Sequence, residues 1–196
     1  MDVKQVKKFM VKQNLKAEFE GTIDQRVERY IEIDHQGIIG GHHFAAASSE
    51  CINLYRDGYF ISAVMVSQSV NEGIIRFVTE RNNIPLYSDS EKGKTKSIPE
   101  LIDELERNKI ISLICAEASR NICKSFRNDV HHMNPNVAEI AQHFAHLAKR
   151  NLQDLAKIEK EIFGVDFAPD GRFILRQPKY WDIKDDGTAP VYLRLE

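Results

Sequence analysis

The stretch from which we build the fold is Ser125-Phe126-Arg127-Asn128-Asp129-Val130-His131-His132-Met133-Asn134-Pro135. Apolar residues lead into it at helical spacing, at Ile111, Cys115, Ala118, Ile122, Phe126 and Val130. Proline disfavours the α conformation in the residue before it, so this helix is expected to end at or before Asn134. Asn134 can then cap a second helix that has Pro135 at its first position. The stretch therefore predicts two successive helices with a sharp break between them.

The first of these helices also carries a basic face. Its members recur at steps of three and four residues, at Arg120, Lys124, Arg127 and His131. At about 100° per residue, Arg120 lies roughly 200° from Ile122, so the basic face is opposite the apolar one. His132 is five residues after Arg127 and lies about 140° away from it in a regular helix, although a fraying helix end would bring it closer. The end of the helix is predicted to combine an arginine, an asparagine and two histidines.

Helical patterns continue on both sides of this stretch. Residues 45–82 read as a long helical region with a tight turn or kink at Asp57-Gly58. Ser97-Ile98-Pro99-Glu100 has the form of a capping box that starts another helix. The helix after Pro135 keeps its apolar spacing as far as Phe163 and is closed by Gly164. We also expect the apolar faces of residues 59–78 and 137–163 to support a two-fold dimer.

The two ends of the chain have different patterns. Before residue 32 we predict a short amphipathic helix starting near Asp2, then a capping box at Thr22-x-x-Gln25, with a strand over residues 30–33 as the alternative. After Gly164 the period changes to that of strands, at residues 172–176, 180–183 and 191–195, with Asp186-Gly187 as a hairpin turn between the last two. The chain is thus divided into an N-terminal helical extension (1–44), a helical bundle (45–164) and a β-hairpin and strand appendage (165–196).

Composition limits the classes of function. The chain has 196 residues and a net charge of −2, so any nucleic-acid surface must be a local patch. Cys51, Cys115 and Cys123 form no C-x-x-C pair; Cys51 and Cys115 read as core residues, and the set suits a reducing compartment. The sequence shows no signal-peptide core and no membrane-spanning stretch, so we expect a cytoplasmic protein with no membrane partner.

Arg127-Asn128-x-x-x-His132 resembles the Arg-x4-6-His motif of HEPN domains, in the form with asparagine after the arginine. Residues 51–164 are similar to a HEPN helical bundle, and Leu54-Tyr55-x-x-Gly58-Tyr59-x-x-x-Ala63-Val64 looks like the first long helices of such proteins. The resemblance implies a mostly α fold: a HEPN-like helical bundle, here with a small C-terminal β appendage. It also implies a homodimer whose active groove forms where two bundles meet about a two-fold axis.

The same resemblance implies a metal-independent endoribonuclease, acting in defence or as a toxin. RNA cleavage without a metal needs a base for the ribose 2′-hydroxyl and a cation for the charge that grows on the phosphate. His132 would be the base or acid, Arg127 the cation, and Asn128 would orient one of them. Arg120, Lys124 and His131 would bind the substrate. The alternatives are a non-catalytic HEPN-like module that binds a nucleotide, RNA or protein partner, and a basic helix end with no catalytic part.

Other chemistry has weaker support in the sequence. Six of the seven histidines form three pairs, His42-His43, His131-His132 and His143-x-x-His146. Because no third ligand lies at a sequence spacing typical of metal sites, no metal or cofactor is predicted. Lys92, Lys94 and Lys96 are expected to form a solvated loop rather than an RNA contact. Trp181, Tyr180 and Tyr192 are expected to pack the β segment rather than stack on bases. The expected partners are RNA, a second copy, and an antitoxin or another regulatory protein.

Overall fold

The computed structural model of the chain describes residues 2–87, 93–125 and 143–194. The helices of these ranges are α1 (Val3–Ile31), α2 (Ala45–Arg56), α3 (Phe60–Arg81), α4 (Ile98–Arg107), α5 (Leu113–Lys124) and α6 (Phe144–Ile162). The strands are β1 (Ile38–Gly40), β2 (Val165–Phe167), β3 (Phe173–Leu175) and β4 (Val191–Leu193), with a 3-10 turn at Pro178–Tyr180. The predicted mostly α architecture with short strands towards the C-terminus is confirmed.

Helices α3, α5 and α6 form the centre of the bundle. α5 runs antiparallel to α6, because Ser112 at its start bonds to Glu161 while Asn121 bonds to Asp154 at 3.2 Å. α2 packs on α3 and α6, and α4 packs on α3 and α5. No helix in the described part of the chain is long and apolar enough to cross a membrane.

The apolar stripes of α3 and α6 are used inside a single chain. Ile74 of α3, Ile122 of α5 and Ile158 of α6 are fully buried in the larger of two core clusters. Val64 and Leu152 are buried in the smaller one. Burying such a side chain contributes about 1.5–3 kcal/mol. The buried members of these stripes therefore hold the bundle together within one chain, and the two-fold dimer stays a prediction.

Several local predictions are confirmed. Ser97 and Glu100 form the reciprocal capping box at the start of α4. Gly58 makes the turn between α2 and α3 with a φ of 88°, a left-handed conformation that glycine adopts at little cost. Cys51 and Cys115 are buried, and burial raises the pKa of both thiols. Each of these features depends only on residues close together in the sequence or on burial of an apolar face.

The N-terminal prediction is wrong in one respect. A single helix, α1, spans 29 residues from the cap at Asp2, where a short helix and a separate capping box were expected. Thr22 lies inside α1, and its hydroxyl donates to the carbonyl of Glu18 at 2.9 Å rather than capping a new helix. Residues 30–33 do not form a strand either. Residues 3–31 contain no proline, and Gly21 alone is not enough to break the helix.

The predicted helix through Phe126 and Val130 is interrupted before it reaches them. α5 starts after Ser112, whose Oγ accepts from the N–H of Cys115 at 3.1 Å, and it ends at Lys124. Ser125 is extended, with a ψ of 126°. Gln68 of α3 and Asn151 of α6 donate hydrogen bonds to this residue. Phe126 and Val130 lie outside the described residues, as do Val137, Ile140 and Ala141 of the following predicted helix.

The strands form two antiparallel pairs, β1 with β4 and β2 with β3. The strands predicted near 172–176 and 191–195 are confirmed as β3 and β4, whereas β1 and β2 were missed. The strand predicted at residues 180–183 is wrong: Tyr180 ends the 3-10 turn, and its ring and that of Trp181 are buried in the core of the bundle. The predicted hairpin is also wrong: Gly187 makes a turn, but β4 pairs with β1, with Tyr192 opposite Ile39. The C-terminal segment is therefore joined to the N-terminal one.

Candidate functional site

The predicted catalytic residues Arg127, Asn128 and His132 lie outside the described residues, together with His131. The structure describes the helix that leads to them and the side chains that hold its end. The last described residue on this side, Ser125, precedes Arg127 by two positions. We therefore build the candidate site outward from Ser125.

Ser125 is buried and is held by hydrogen bonds from two other helices. Gln68 Nε2 of α3 donates to the carbonyl of Ser125 and, at 2.6 Å, to its Oγ. Asn151 Nδ2 of α6 donates to the same Oγ at 2.9 Å. The hydroxyl itself donates to the carbonyl of Ile122 at 2.6 Å. Leaving a buried polar group unpaired costs about 1–3 kcal/mol, so three helices fix the position of this residue.

The hydrogen bonds continue along the seam between α3 and its neighbours. Ser119 Oγ donates to Asn71 Oδ1 at 2.7 Å, and Asn71 Nδ2 donates back to the carbonyl of Ser119 at 3.2 Å. Asn151 also donates to Ser67 Oγ at 3.1 Å. Gln68 Oε1 and Asn151 Oδ1 are buried with no hydrogen-bond partner among the residues described. This seam thus holds two acceptor oxygens whose pairing is incomplete.

The predicted basic face is divided between two environments. Arg120 Nη2 donates to Asp103 Oδ1 at 2.6 Å and to Glu106, both on α4. These hydrogen bonds, that of Glu106 first, raise the pKa of Arg120. Lys124 is exposed at the end of α5. Arg120 therefore ties α5 to α4, whereas Lys124 can meet an anion in solution.

Exposed imidazoles lie at the same end of the bundle. His146 precedes Asn151 by five residues on α6, and His143 lies just before that helix; both side chains are exposed. Lys124, His143 and His146 therefore add basic or titratable groups to the surface beside Ser125.

A metal site receives no support from the described residues. They contain no group of three histidine, cysteine or acidic side chains that could hold an ion. In the pair His42-His43, His42 is packed against the rings of Phe77 and Phe163, and its Nε2 lies 2.8 Å from the carbonyl oxygen of Tyr180. Burial lowers the pKa of His42. This histidine therefore belongs to the core, and the two side chains do not converge on one ion.

The aromatic residues of the C-terminal segment also have a packing function. Tyr180 and Trp181 are 0% and 4% exposed and lie in the larger core cluster. Tyr192 is partly exposed on β4. Tyr180 and Trp181 are therefore not available to stack on bases. Lys94 and Lys96 are described, and Lys96 Nζ bonds to Glu104 at 2.6 Å; Lys92 lies outside the described residues.

The residues that sequence reasoning missed are the buried amides. Gln68, Asn71 and Asn151 occupy buried positions of otherwise apolar helix faces, between such neighbours as Val64 and Val70. A polar amide at a position that the 3.6-residue period assigns to the core is a signal that it has a buried partner. The spacing of the apolar residues alone does not reveal these amides, so the seam was not predicted.

Comparisons with protein-family models, with curated proteins and with solved structures found no match to this chain.

Proposed function

We propose that this chain is a metal-independent endoribonuclease of the HEPN type. The observation that supports the proposal best is the anchoring of Ser125 by Gln68 and Asn151, two residues before Arg127. Catalytic groups must be held close to their working positions, because small misplacements cost large factors in rate. A motif that directly follows a fixed helix end is suited to this requirement.

The reaction uses the oxygen of the RNA itself. His132 takes the proton from the ribose 2′-hydroxyl, and the oxygen attacks the adjacent phosphorus. The bond from phosphorus to the 5′-oxygen breaks, and this oxygen receives a proton from the His132 of a second copy. Arg127 stabilises the charge on the phosphate, and Asn128 orients His132 or the phosphate. The products end in a 2′,3′-cyclic phosphate and a 5′-hydroxyl group.

Substrate binding is assigned to the basic groups around the motif. Lys124 is exposed beside Ser125 and can contact a phosphate, as can His131. Arg120 was included in this set from the sequence. Because Asp103 and Glu106 neutralise its charge, we give it a smaller part in RNA binding.

The test is cleavage of end-labelled RNA by the purified chain in the presence of a chelator. Loss of general acid–base catalysis should lower the rate of His132→Ala by about a hundred- to ten-thousand-fold while RNA binding is retained. Arg127→Ala should weaken both binding and cleavage. His131→Ala should lose much less than His132→Ala. His43→Ala is the matched control, because this histidine is exposed just before α2 and lies outside the motif and the surface beside Ser125.

Each contrary result points to a different error. If the wild type cuts no RNA but binds it through Arg127, the chain is a non-catalytic binding module. If chelation abolishes cleavage, the metal-independent mechanism is wrong. If His131→Ala is inactive and His132→Ala is active, the assignment of the histidine is wrong by one residue.

A further inference from the structure

Helix α1 has a long apolar face that nothing in the described part of the chain covers. No residue of α1 is buried, although the helix is about 44 Å long at 1.5 Å per residue. Its apolar row follows every fourth position and is interrupted only by Lys7; its members are Val3, Val11, Leu15, Phe19, Ile23, Val27 and Ile31. Leu15 is 60% exposed and Phe19 is 48% exposed. A contiguous apolar surface of this length marks a contact with another molecule.

Only the last turns of α1 rest on the bundle. Arg29 Nη1 donates to the carbonyl of Arg56 at 3.2 Å, and Arg26 lies 3.7 Å from Asp57. Both contacts are made to the end of α2. The first five turns of α1 therefore project from the bundle with their apolar row open.

A charged row lies beside the apolar row, one residue further along. It also follows every fourth position, and reads Lys4, Lys8, Lys12, Lys16, Glu20, Asp24, Glu28 and Glu32. The sign of the charge changes once, between Lys16 and Glu20. Neighbouring rows are separated by about 100° around the helix, so the charges flank the apolar face along its whole length.

We infer that α1 pairs antiparallel with α1 of a second copy, about a two-fold axis between Lys16 and Glu20. Such a rotation brings Lys16 to Glu20 and Lys12 to Asp24 of the other copy, twice in each dimer. It also places Leu15 and Phe19 at the centre of the contact. A row with four-residue spacing packs against its own copy at a crossing angle of about −50°, so these inner residues contribute most.

The charge pattern selects this partner over others. An anionic membrane or an RNA strand would attract the lysine half of the row and repel the acidic half. A parallel pair would place lysines against lysines and acids against acids. An antiparallel copy of α1 places acidic residues opposite the lysine half of the row and lysines opposite its acidic half.

Two features of the chain fit the antiparallel pair. The intrachain contact between Lys16 and Glu20, 3.7 Å long with both side chains 65% exposed, is weak enough to exchange for a contact between copies. A shallow apolar groove lies where α1 meets α2, within reach of the exposed Phe9 of a second copy. The groove is lined by Phe19, Ile23, Arg26, Val27, Tyr30 and Arg56. Glu32 is already bonded to Lys149 and Tyr55. The pair of Lys4 with Glu32 of the second copy is therefore left out of the test.

The test is sedimentation equilibrium of the full chain at low ionic strength, with four proteins. The wild type should be a dimer at micromolar concentration. Lys12→Glu with Lys16→Glu makes the row acidic from residue 12 onward, and Glu20→Lys with Asp24→Lys makes its centre basic. Each variant should dissociate with a Kd at least about tenfold higher, because attractive contacts become repulsive. An equimolar mixture of the two should form a heterodimer, and a protein with all four changes should recover the homodimer.

The matched control is Lys109→Glu with Lys184→Glu. It changes the net charge as much as Lys12→Glu with Lys16→Glu does, but at exposed lysines outside α1. Its Kd should stay at the wild-type value, and circular dichroism should show the same helix content for all proteins. A monomeric wild type would overturn the inference. A dimer whose Kd is unchanged by both charge reversals would also overturn it. In a parallel pair, or at another interface, these substitutions remove no attractive contact between opposite charges.

A third contrary outcome concerns a different partner. If the wild type stays monomeric and binds vesicles of anionic phospholipid through Lys12 and Lys16, α1 is a membrane-binding helix. The inference does not rest on the proposed nuclease activity, because these variants leave Arg127 and His132 unchanged. Failure of cleavage and failure of dimerisation are therefore observed separately.

Discussion

The carboxamide of Gln68 lies against α5, where its Nε2 bonds to Ser125 and is 3.3 Å from the carbonyl oxygen of Ile122. Gln68→Met keeps the length of the side chain but removes these donors. The buried oxygens of Ser125 then lose a partner, which should cost about 1–3 kcal/mol in the free energy of unfolding. Urea denaturation measures the change. Ser69→Ala, on the exposed side of α3, should change stability by less than about 0.5 kcal/mol; equal losses would contradict the anchoring of Ser125.

His42 predicts a pH dependence of stability. Burial is the main reason that its pKa lies below the ordinary value of 6.5, and the charges of Arg81 and His43 act in the same direction. The carbonyl of Tyr180 and the carboxylate of Asp182 oppose them. Below pH 6.5 the unfolded chain takes up a proton that the folded chain resists, so the stability linked to His42 is complete above pH 6.5 and is lost as the pH falls through the lower folded-state pKa.

The measurement is the free energy of unfolding between about pH 7 and pH 5, across the ordinary pKa of histidine. His42→Gln removes the titrating group but keeps a donor for the carbonyl of Tyr180, so its stability should fall less steeply with decreasing pH. His146→Gln should follow the wild-type curve, since that side chain is exposed. If His42→Gln keeps the wild-type slope, another group causes the loss.

At the scale of single elements, two glycines should respond to alanine in opposite directions. Gly21 is in the middle of α1, and a Cβ there would meet no atom within 4 Å. Gly21→Ala should stabilise the chain by about 0.5–1 kcal/mol, because alanine loses less freedom in a helix. Gly58 has a φ of 88°, and a Cβ there would lie 3.2 Å from Arg29 Nη1. Gly58→Ala should therefore destabilise by about 1 kcal/mol or more.

Thermal unfolding of the two alanine variants measures both effects, and each serves as the control for the other. If Gly21→Ala destabilises the chain, α1 is not a continuous helix through residue 21. If Gly58→Ala is neutral, the turn between α2 and α3 tolerates a conformation other than the one described.

Helix bodies could be predicted from the sequence, whereas several of their ends could not. The buried face of Cys115, Ala118 and Ile122 follows from a repeat of three to four residues, which a short window contains. The end of α5 depends on Gln68, which is 57 residues from Ser125 in the sequence. No local pattern encodes that contact. The pairing of β4 with β1 was missed for the same reason, since its residues are separated by most of the chain.

Some features of the candidate site could likewise be predicted from the sequence, and others could not. The types and spacing of Arg127, Asn128 and His132 could be read directly, and their function stays a prediction. The neutralisation of Arg120 could not be predicted, because Asp103 lies 17 residues away on a different helix. The pattern of basic residues on α5 does not include the acidic residues of α4, which packs against it.

At the scale of the whole molecule, one buried ion pair connects distant segments. Arg194 Nη2 lies 2.8 Å from Glu159 Oε1, and both side chains are 3% exposed. Ser48 of α2 bonds to both of them, and the N–H of Arg194 donates to the carbonyl of Gly37 at 2.9 Å. The N-terminal segment, α2, α6 and the end of β4 therefore meet at one point.

Breaking this pair should be more harmful than replacing it. Arg194→Met leaves the carboxylate of Glu159 buried without its cation and should cost about 3–5 kcal/mol in the free energy of unfolding. The double variant with Glu159→Met should lose clearly less than the two single variants together. Denaturant unfolding of all four proteins gives this coupling directly. Arg172→Met, at an exposed pair with Asp170, is the control and should be nearly neutral; additive losses would show that the pair does not act as a unit.

The same ion pair sets an order of events during synthesis. Glu159 and Arg194 are 35 residues apart, and a ribosome that adds about 5–20 residues per second needs about 2–7 s to cover that distance. Throughout this delay the Glu159 carboxylate of the nascent α6 can accept a hydrogen bond from Ser48 but has no cation to pair with. Burying it in that state is costly, so we expect the growing chain to keep the seam between α2 and α6 open. A ribosome stalled short of residue 194 would therefore present a bundle that has formed but not closed.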